Sequence, residues 1–371
     1  MAYQIPKLPL TIDLETKPIL KQLNQANRRL AELKGLVQTI PNESLLINTL
    51  GLQEAKDSSE IENIVTTHDD LFKSELDMAE VIKSAAAKEV KDYREAIQVG
   101  FNAVRENGLI TNNVIKQVQM VLLGNSAGFR KVPGTTLKDR NGTVVYTPPQ
   151  DARDIVTFMD DLEQYTNNPD DNSLDPLIKM AVIHHQFESI HPFLNGNGRT
   201  GRIISILYLV AQDLLNLPVL YLSRYITHNK NEYYQKLQAI RDNQENNEVQ
   251  WQDWVMFMLR GIEETSRDTI VLVKNIRDLM AEYKRILRPI FDKRYHYELL
   301  NNLFYHPYTK IEFMQQAMQV SRITATHYLD SIVAAGLLEK VKMGRSNYYI
   351  NTRLVAILQN PQGELSVTDE Q

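Results

Sequence analysis

His191-Pro192-Phe193-Leu194-Asn195-Gly196-Asn197-Gly198-Arg199-Thr200-Gly201-Arg202 concentrates more reactive chemistry than any other stretch of this 371-residue chain. Upstream, DPLIKMAVIHHQFESI has apolar residues at helical spacing and ends at His191-Pro192; downstream, a second apolar helix is expected to about Leu215. The twelve residues therefore read as a turn between two helices. Gly196 to Gly201 also fit G-x-G-x-x-G, but that dinucleotide fingerprint needs a preceding strand, and the helical spacing denies one. No Gly-Lys-Ser/Thr follows, so a Walker A loop fails as well. What remains is anion chemistry. Small residues let backbone N–H groups approach an anion, and Gly198 or Arg199 is expected to open a helix whose N-terminus carries partial positive charge. Arg199 and Arg202, three apart, project from one face and can fork onto phosphate oxygens. His191 titrates near neutrality when free and sits in a proline-fixed loop. A base, an anion cradle and two guanidiniums point to phosphoryl or nucleotidyl transfer. A plain turn between core helices has little need of three glycines, two asparagines and two arginines together.

Outward from this loop, helical periodicity dominates. Leu14, Ile19, Leu20, Leu23, Ala26, Leu30, Leu33 and Leu36 form one stripe over residues 14–37. A turn at Pro41-Asn42 precedes a helical run from Ser44, and Asp57 or Ser58 offers an N-cap for a short helix, SSEIENIVT. Helices are expected over 75–106, closed by Gly108, and 111–123, capped by Thr111, then at 229–243, 249–266 and 267–288. Between them, Gly128 to Pro149 holds Asn141-Gly142 beside Thr143-Val144-Val145-Tyr146, a hairpin signal. Beyond 290, helices at 295–304, 309–318 and 321–335 precede two short strands (337–341 and 347–350) around a turn at Gly344. That is the plan of a winged helix with a two-stranded ribbon. The tail after Asn360 reads as disordered.

Composition limits the alternatives. The chain is 43% apolar and 23% charged, which suits a globular protein, and its net charge of −5 argues against a polycation built for nucleic acid. It has no cysteine, so thiolate metal sites, disulfides and cysteine nucleophiles are excluded and a reducing cytoplasm is the expected setting. The start lacks the features of a secretory signal, and Ile203–Ala211 is too short to cross a bilayer, so no membrane association is expected. Residues 285–357 hold ten basic and five acidic side chains, among them Lys340, Lys342 and Arg345 on the expected wing. Such a unit can touch DNA phosphates, although Arg322, Thr324, Thr326 and His327 offer little for reading bases. His184, His185 and Glu188 lie on an apolar helix without a fourth convergent ligand, which favours a core role over a metal.

HPFLNGNGRTGR resembles the signature of the Fic family, H-P-F-x-x-G-N-G-R-x-x-R, with every fixed letter present. His184-His185, Phe187, Gly128-Phe129-Arg130, Tyr146-Thr147-Pro148-Pro149 and YLSRYITHNKNEYY extend the similarity over roughly residues 5–265. The layout resembles the bacterial Fic protein adenylyltransferases, which move AMP from ATP onto a Ser, Thr or Tyr hydroxyl of a protein. The resemblance implies a mainly α fold: a helical bundle with a β-hairpin flap, followed by a winged helix. It implies His191 as general base, Gly196, Asn197 and Gly198 as the anion hole, Arg199 on the β-phosphate and Arg202 on the γ-phosphate. Thr200 and Gly201 complete that ATP-binding set, Phe193 anchors the loop, and Asn229, Tyr233 and Tyr234 fall where the family places its nucleobase pocket. Relatives usually carry a carboxylate at Asn195 that helps hold Mg²⁺; an amide oxygen can ligate magnesium but brings no charge.

Two further elements follow from the resemblance. Ser58-Ser59-Glu60-Ile61-Glu62-Asn63 matches the family's inhibitory pattern, Ser/Thr-x-x-x-Glu-Gly/Asn, in which Ser58, Glu62 and Asn63 carry the fixed positions. It implies that Glu62 competes for Arg202 and leaves ATP in a non-reactive pose. The flap implies a target-binding edge at Thr143, Val144, Val145 and Tyr146, where an extended segment can pair through its main chain. The resulting expectation is an N-terminal helical region at 1–105 with the inhibitory helix, a catalytic domain at 106–284, a winged helix at 285–357 and a tail at 358–371. Expected partners are ATP, a target protein that includes the chain itself, DNA through the winged helix, and a second copy in a homodimer. The rival readings are a DNA-binding regulator whose core only senses nucleotide, and an enzyme that transfers another group or removes AMP with Glu62 placing the water.

Overall fold

Amphipathic stripes and turn residues divide most of the chain into helices, and the computed structural model describes residues 3–40, 42–74, 85–139, 141–168, 174–220, 222–244, 247–343 and 346–361. The expected helix start at 75, the turn residues Gly344 and Arg345, and the tail beyond 361 lie outside the described residues. In chain order the first elements are α1 (Lys17–Val37), α2 (Glu43–Ile61), α3 (His68–Ser74), α4 (Ala85–Asn107) and α5 (Asn112–Leu123). A short hairpin of β1 (Leu137–Lys138) and β2 (Val144–Tyr146) follows, then α6 (Ala152–Asn167), α7 (Pro176–Ile190), α8 (Asn197–Ala211), α9 (Leu222–His228), α10 (Lys230–Asp242) and α11 (Glu248–Phe291). The chain divides into one unit of residues 1–34, 54–65 and 89–267 and another of residues 35–53, 66–88 and 268–371.

The first unit is built around α7 and α8. Asp175 caps α7 by accepting from the Leu177 N–H, Pro176 occupies its first turn, and every residue from Leu177 to Ile190 is buried. A helix buried on all sides needs neighbours on all sides: α6 and α8 pack against it, and α11 brings Trp251 and Trp254 onto His185 and Ala181. The Trp254 indole donates to the Ala181 carbonyl at 2.8 Å, so its polar edge is satisfied while its rings fill the core. Thr111 caps α5, and Gly108 closes α4 at φ +71°, as the sequence predicts.

Three local expectations are corrected. Asp57 and Ser58 do not start a short helix; α2 runs through them to Ile61. Both are good caps by propensity, but the Asp57 carbonyl accepts from Thr227 and Ser58 bonds Arg202, so tertiary contacts override the local preference. The helices expected at 249–266 and 267–288 are one continuous helix, α11, because no Gly or Pro breaks the stripe between them. Helix α8 opens at Asn197, one or two residues before the expected Gly198 or Arg199.

In the second unit, α12 (Tyr297–Tyr305), β3 (Tyr308–Lys310), α13 (Ile311–Met318), α14 (Arg322–Ala334), β4 (Glu339–Met343), β5 (Ser346–Ile350) and α15 (Thr352–Gln359) follow one another. The expected two-stranded ribbon is a three-stranded antiparallel sheet in the order β3-β5-β4, with Tyr308 opposite Ile350 and Glu339 opposite Ile350 on the other edge. Three residues are too few for β3 to show a period of two in sequence. Ordered helix continues to Gln359, with Leu358 buried. Arg322 is paired with Glu312 at 2.5 Å and Lys340 with Asp330 at 2.7 Å. Among the described residues, no helix is long and apolar enough to cross a membrane.

Candidate active site

The loop between α7 and α8 is pinned at every step. His191 closes α7 in the left-handed region (φ +49°), its N–H donating to the Phe187 carbonyl at 2.9 Å. A non-glycine residue there costs about 1–3 kcal/mol unless its surroundings dictate the conformation. They do. The Arg130 N–H donates to the Pro192 carbonyl (2.8 Å), Arg130 Nε to the His191 carbonyl (2.9 Å), and its Nη2 to the Pro149 carbonyl at the end of the flap segment. Phe193 is fully buried beside Phe129 and Phe187. The Asn197 carboxamide accepts from the Phe193 N–H and donates to the Phe193 carbonyl, both at 2.8 Å. Asn197 thus spends its side chain closing the loop, and only its backbone N–H is left to face an anion. Gly196 caps α8 at φ +77° with no side chain over the helix end, which leaves the first-turn N–H groups open for an anion.

The two guanidiniums at this helix end are already engaged. Arg202, 1% exposed, donates from Nε to Ser58 Oγ (2.8 Å) and from Nη2 to the Ser58 carbonyl and Glu62 Oε1 (both 2.9 Å). Burial is the largest single influence and works against its charge, but the Glu62 carboxylate together with the Tyr93, Tyr233 and Tyr234 phenols outweighs it and holds the guanidinium more firmly protonated. Glu62 stands just past the end of α2, where Asn63 turns the chain at φ +63° and accepts from Lys230. A Cβ at Gly198 would collide with Glu62 Oε1 and meet Arg202 Nη1 at 3.1 Å, so a side chain here would push the Glu62 carboxylate from its present place beside Arg202. Arg199 donates from Nη1 to Glu89 Oε2 of α4 at 2.7 Å. The sequence reading missed Glu89, which belongs to no motif.

His191 is held neutral. Burial, then the charges of Arg241 and Arg130, push its imidazole down to about 4, so its free-base form prevails near neutral pH. Burial pushes the Glu188 carboxyl up to about 7. His184 and His185 are core residues: His184 bonds Ser205 Oγ (2.9 Å) and Tyr233 OH (2.8 Å), and His185 Nε2 meets the Leu237 carbonyl at 3.3 Å. The sequence also gave no sign of Arg241 or of Glu54, a fully buried carboxyl on α2 bonded by Ser223 and Tyr93.

The remaining expected residues divide by exposure. Thr200 and Gly201 are buried, and an added Cβ at Gly201 would meet Glu188 and Phe187 of α7. Tyr233 is committed to His184, and the Asn229 amide donates to the Tyr225 carbonyl. Tyr234 presents an open ring, 44% exposed, close enough for the charges of Glu62 and Arg202 to act on its phenol. Asn195 is exposed on the loop, and among the described residues no three His, Asp or Glu side chains gather as a metal site. A single neutral amide fits a cation that arrives with phosphate oxygens and water, not one held by protein alone.

The hairpin pairs Leu137 with Tyr146 and Lys138 with Val144, its turn closed by the Asp139 carboxylate accepting from the Asn141 and Thr143 N–H groups. Thr143, Val144 and Val145 are exposed, whereas Tyr146 turns inward and donates from its hydroxyl to the Ser189 carbonyl at 2.7 Å. The Val145 carbonyl already accepts from Gln238 of α10 at 2.9 Å.

Three family models match the chain: Fic/DOC family N-terminal over residues 20–102, Fic/DOC family over 109–209, and protein adenylyltransferase SoFic-like, C-terminal domain, over 279–354. A probable protein adenylyltransferase from Aquifex aeolicus is 25% identical over 199 residues, 53% of this chain and 52% of that protein. The protein adenylyltransferase Fic of Drosophila grimshawi is 38% identical over 56 residues, 15% of this chain and 12% of that protein. The chain thus spans at most about half the length of these curated relatives. Among solved structures, a Fic family protein from Desulfovibrio desulfuricans shares the fold at a TM-score of 0.59 and 20% identity, covering 92% of this chain and 97% of that one. A Fic domain containing signaling protein from Bacteroides thetaiotaomicron follows at 0.51 and 17%, covering 66% and 97%.

Proposed function

Because the chain belongs to the Fic/DOC family, we propose that it is a protein adenylyltransferase that moves AMP from ATP to a Ser, Thr or Tyr hydroxyl and is held inactive by its own Glu62. The triphosphate would lie across the opening turn of α8, on the free N–H groups of residues 196–198, with Arg199 and Arg202 on its outer phosphates. An extended target segment would pair with the flap and bring its hydroxyl to His191. The neutral imidazole takes the hydroxyl proton as the oxygen attacks the α-phosphorus. The bond from that phosphorus to the β-phosphate oxygen breaks, and pyrophosphate leaves. Mg²⁺ arriving with ATP would be held by the Asn195 amide oxygen and phosphate oxygens, and when bound it neutralises phosphate charge.

The observation that carries this reading is the contact of Glu62 and Ser58 with Arg202 at the head of α8. While that guanidinium is occupied, the γ-phosphate lacks its partner. Opening the pair from one side costs more than the ~1 kcal/mol of an exposed ion pair and up to the ~3–5 kcal/mol of a buried one. Glu62→Gly is expected to raise incorporation of α-labelled ATP into protein, the chain itself included, by at least tenfold. His191→Ala in that background is expected to abolish it. An unchanged rate in the first variant argues against inhibition by Glu62, and surviving label in the second removes His191 from the base role. ATP binding with no label in any variant would instead favour a nucleotide-sensing regulator. A DNA role is weakened because Arg322 and Lys340 are each matched by a carboxylate.

A further inference from the structure

Behind the catalytic loop, one buried cation touches two elements that the proposed reaction must hold in register. Arg241, in the last turn of α10, is 6% exposed. Its Nε donates to Ser189 Oγ at 3.1 Å, and its guanidinium carbon lies 4.2 Å from the centre of the Tyr146 ring. Tyr146 belongs to the flap strand β2, and its own hydroxyl donates to the Ser189 carbonyl at 2.7 Å. Ser189 stands two residues before His191. Flap, guanidinium and the end of α7 thus form a closed triangle. The Tyr3 ring packs edge-on to Tyr146 at 6.0 Å. Among the described residues, Arg241 has no carboxylate within ion-pairing distance; it is held by a hydroxyl and an aromatic face. A buried cation without a counter-ion is costly, and such groups cluster where a protein needs a field or a fixed geometry.

We propose that Arg241 is a positioning residue for the transfer: it ties the flap strand to the last turn of α7 and so sets the reach from a flap-held hydroxyl to the His191 imidazole. The inference rests on the adenylyl-transfer reading for its purpose, but the tie itself can be measured without activity. The charged groups acting on His191 are Arg241 from α10, Arg130 from the segment after α5 and Glu62 from the segment after α2, with the titratable Glu188 one turn back on α7. Of the charges, Arg241 weighs most on the imidazole, and removing it favours protonation.

The test compares the full chain with Arg241→Gln, Arg241→Lys and Ser189→Ala. Proton NMR follows the His191 ring, identified by its loss in His191→Ala, and amide exchange follows residues 144–146. In Arg241→Gln the His191 midpoint is expected to rise by about one pH unit and flap exchange to accelerate about tenfold. Arg241→Lys is expected to keep the midpoint but not the slow exchange, which separates charge from tie. Should Arg241→Gln fail to fold, Arg241→Lys and Ser189→Ala still carry the exchange measurement. In a Glu62→Gly background, Arg241→Gln should lower the maximal self-labelling rate about tenfold with the KM for ATP unchanged. An unmoved midpoint with wild-type flap exchange overturns the proposal, as does a change confined to the KM for ATP. If no variant labels anything while midpoint and exchange shift as stated, the tie stands and the adenylyl-transfer reading falls.

Discussion

Ser58 and Glu62 between them accept three hydrogen bonds from Arg202, two of them on a hydroxyl and a carbonyl oxygen that carry no net charge. The contact proposed to inhibit is therefore more than an ion pair, and the hydroxyl has its own weight. Ser58→Ala removes the partner of Nε while keeping the helix, at a cost to the contact of about 1.5 kcal/mol, or roughly tenfold in its equilibrium. Self-labelling with α-labelled ATP should rise in Ser58→Ala, but less than in Glu62→Gly; no rise would place the whole effect on the carboxylate. Ser58, Glu62 and Arg202 were legible because each sits in a pattern with fixed spacing. Glu54, Glu89 and Arg241 were not. Each is one charged letter on an amphipathic helix, and in sequence a buried charge looks the same as a solvated one.

At the scale of elements, the α7–loop–α8 unit works because its turn is closed by its own side chain. Asn197 spans the loop with two hydrogen bonds to Phe193, and Arg130 braces the other side. Asn197→Ala leaves the Phe193 N–H and carbonyl unpaired in a buried place, which should cost about 2 kcal/mol. A thermal melt should show Tm lowered by several degrees, with a weaker grip on ATP by calorimetry; an unchanged Tm would mean that the loop is held from elsewhere. Element limits were readable where a cap or glycine marked them, as at Thr111 and Gly108. They were misread where tertiary bonds satisfied a would-be cap, as at Asp57 and Ser58, and where a strand was only three residues long, as at β3.

For the whole molecule, buried titratable groups oppose one another across the pH range. Burial, eased only in part by Ser223, pushes Glu54 up to about 8 and burial pushes Glu188 up to about 7, against an ordinary 4.5. Their stabilisation is complete below 4.5, where both forms of the chain are protonated, and is lost as pH rises through those folded values. His191, near 4, and His184, near 3, act in the other direction: from an ordinary 6.5 downward, the unfolded chain binds the protons. Of these four groups, the two carboxyls are the ones still titrating above pH 6.5. Tm should fall between about pH 6.5 and 8, and Glu54→Gln, which mimics the protonated acid, should flatten that fall. A Tm rising over this window would mean that neither carboxyl is held protonated.

The claim on which the account turns is spatial: ATP on the opening turn of α8, with Glu62 as its rival for Arg202. A crystal structure of Glu62→Gly soaked with ATP tests it most directly. The account predicts the triphosphate along the N–H groups of residues 196–198, Arg202 turned from Ser58 onto the γ-phosphate, and the α-phosphorus facing the His191 imidazole. Nucleotide bound elsewhere, or Arg202 still fixed to Ser58 with the γ-phosphate pointing away, would contradict it.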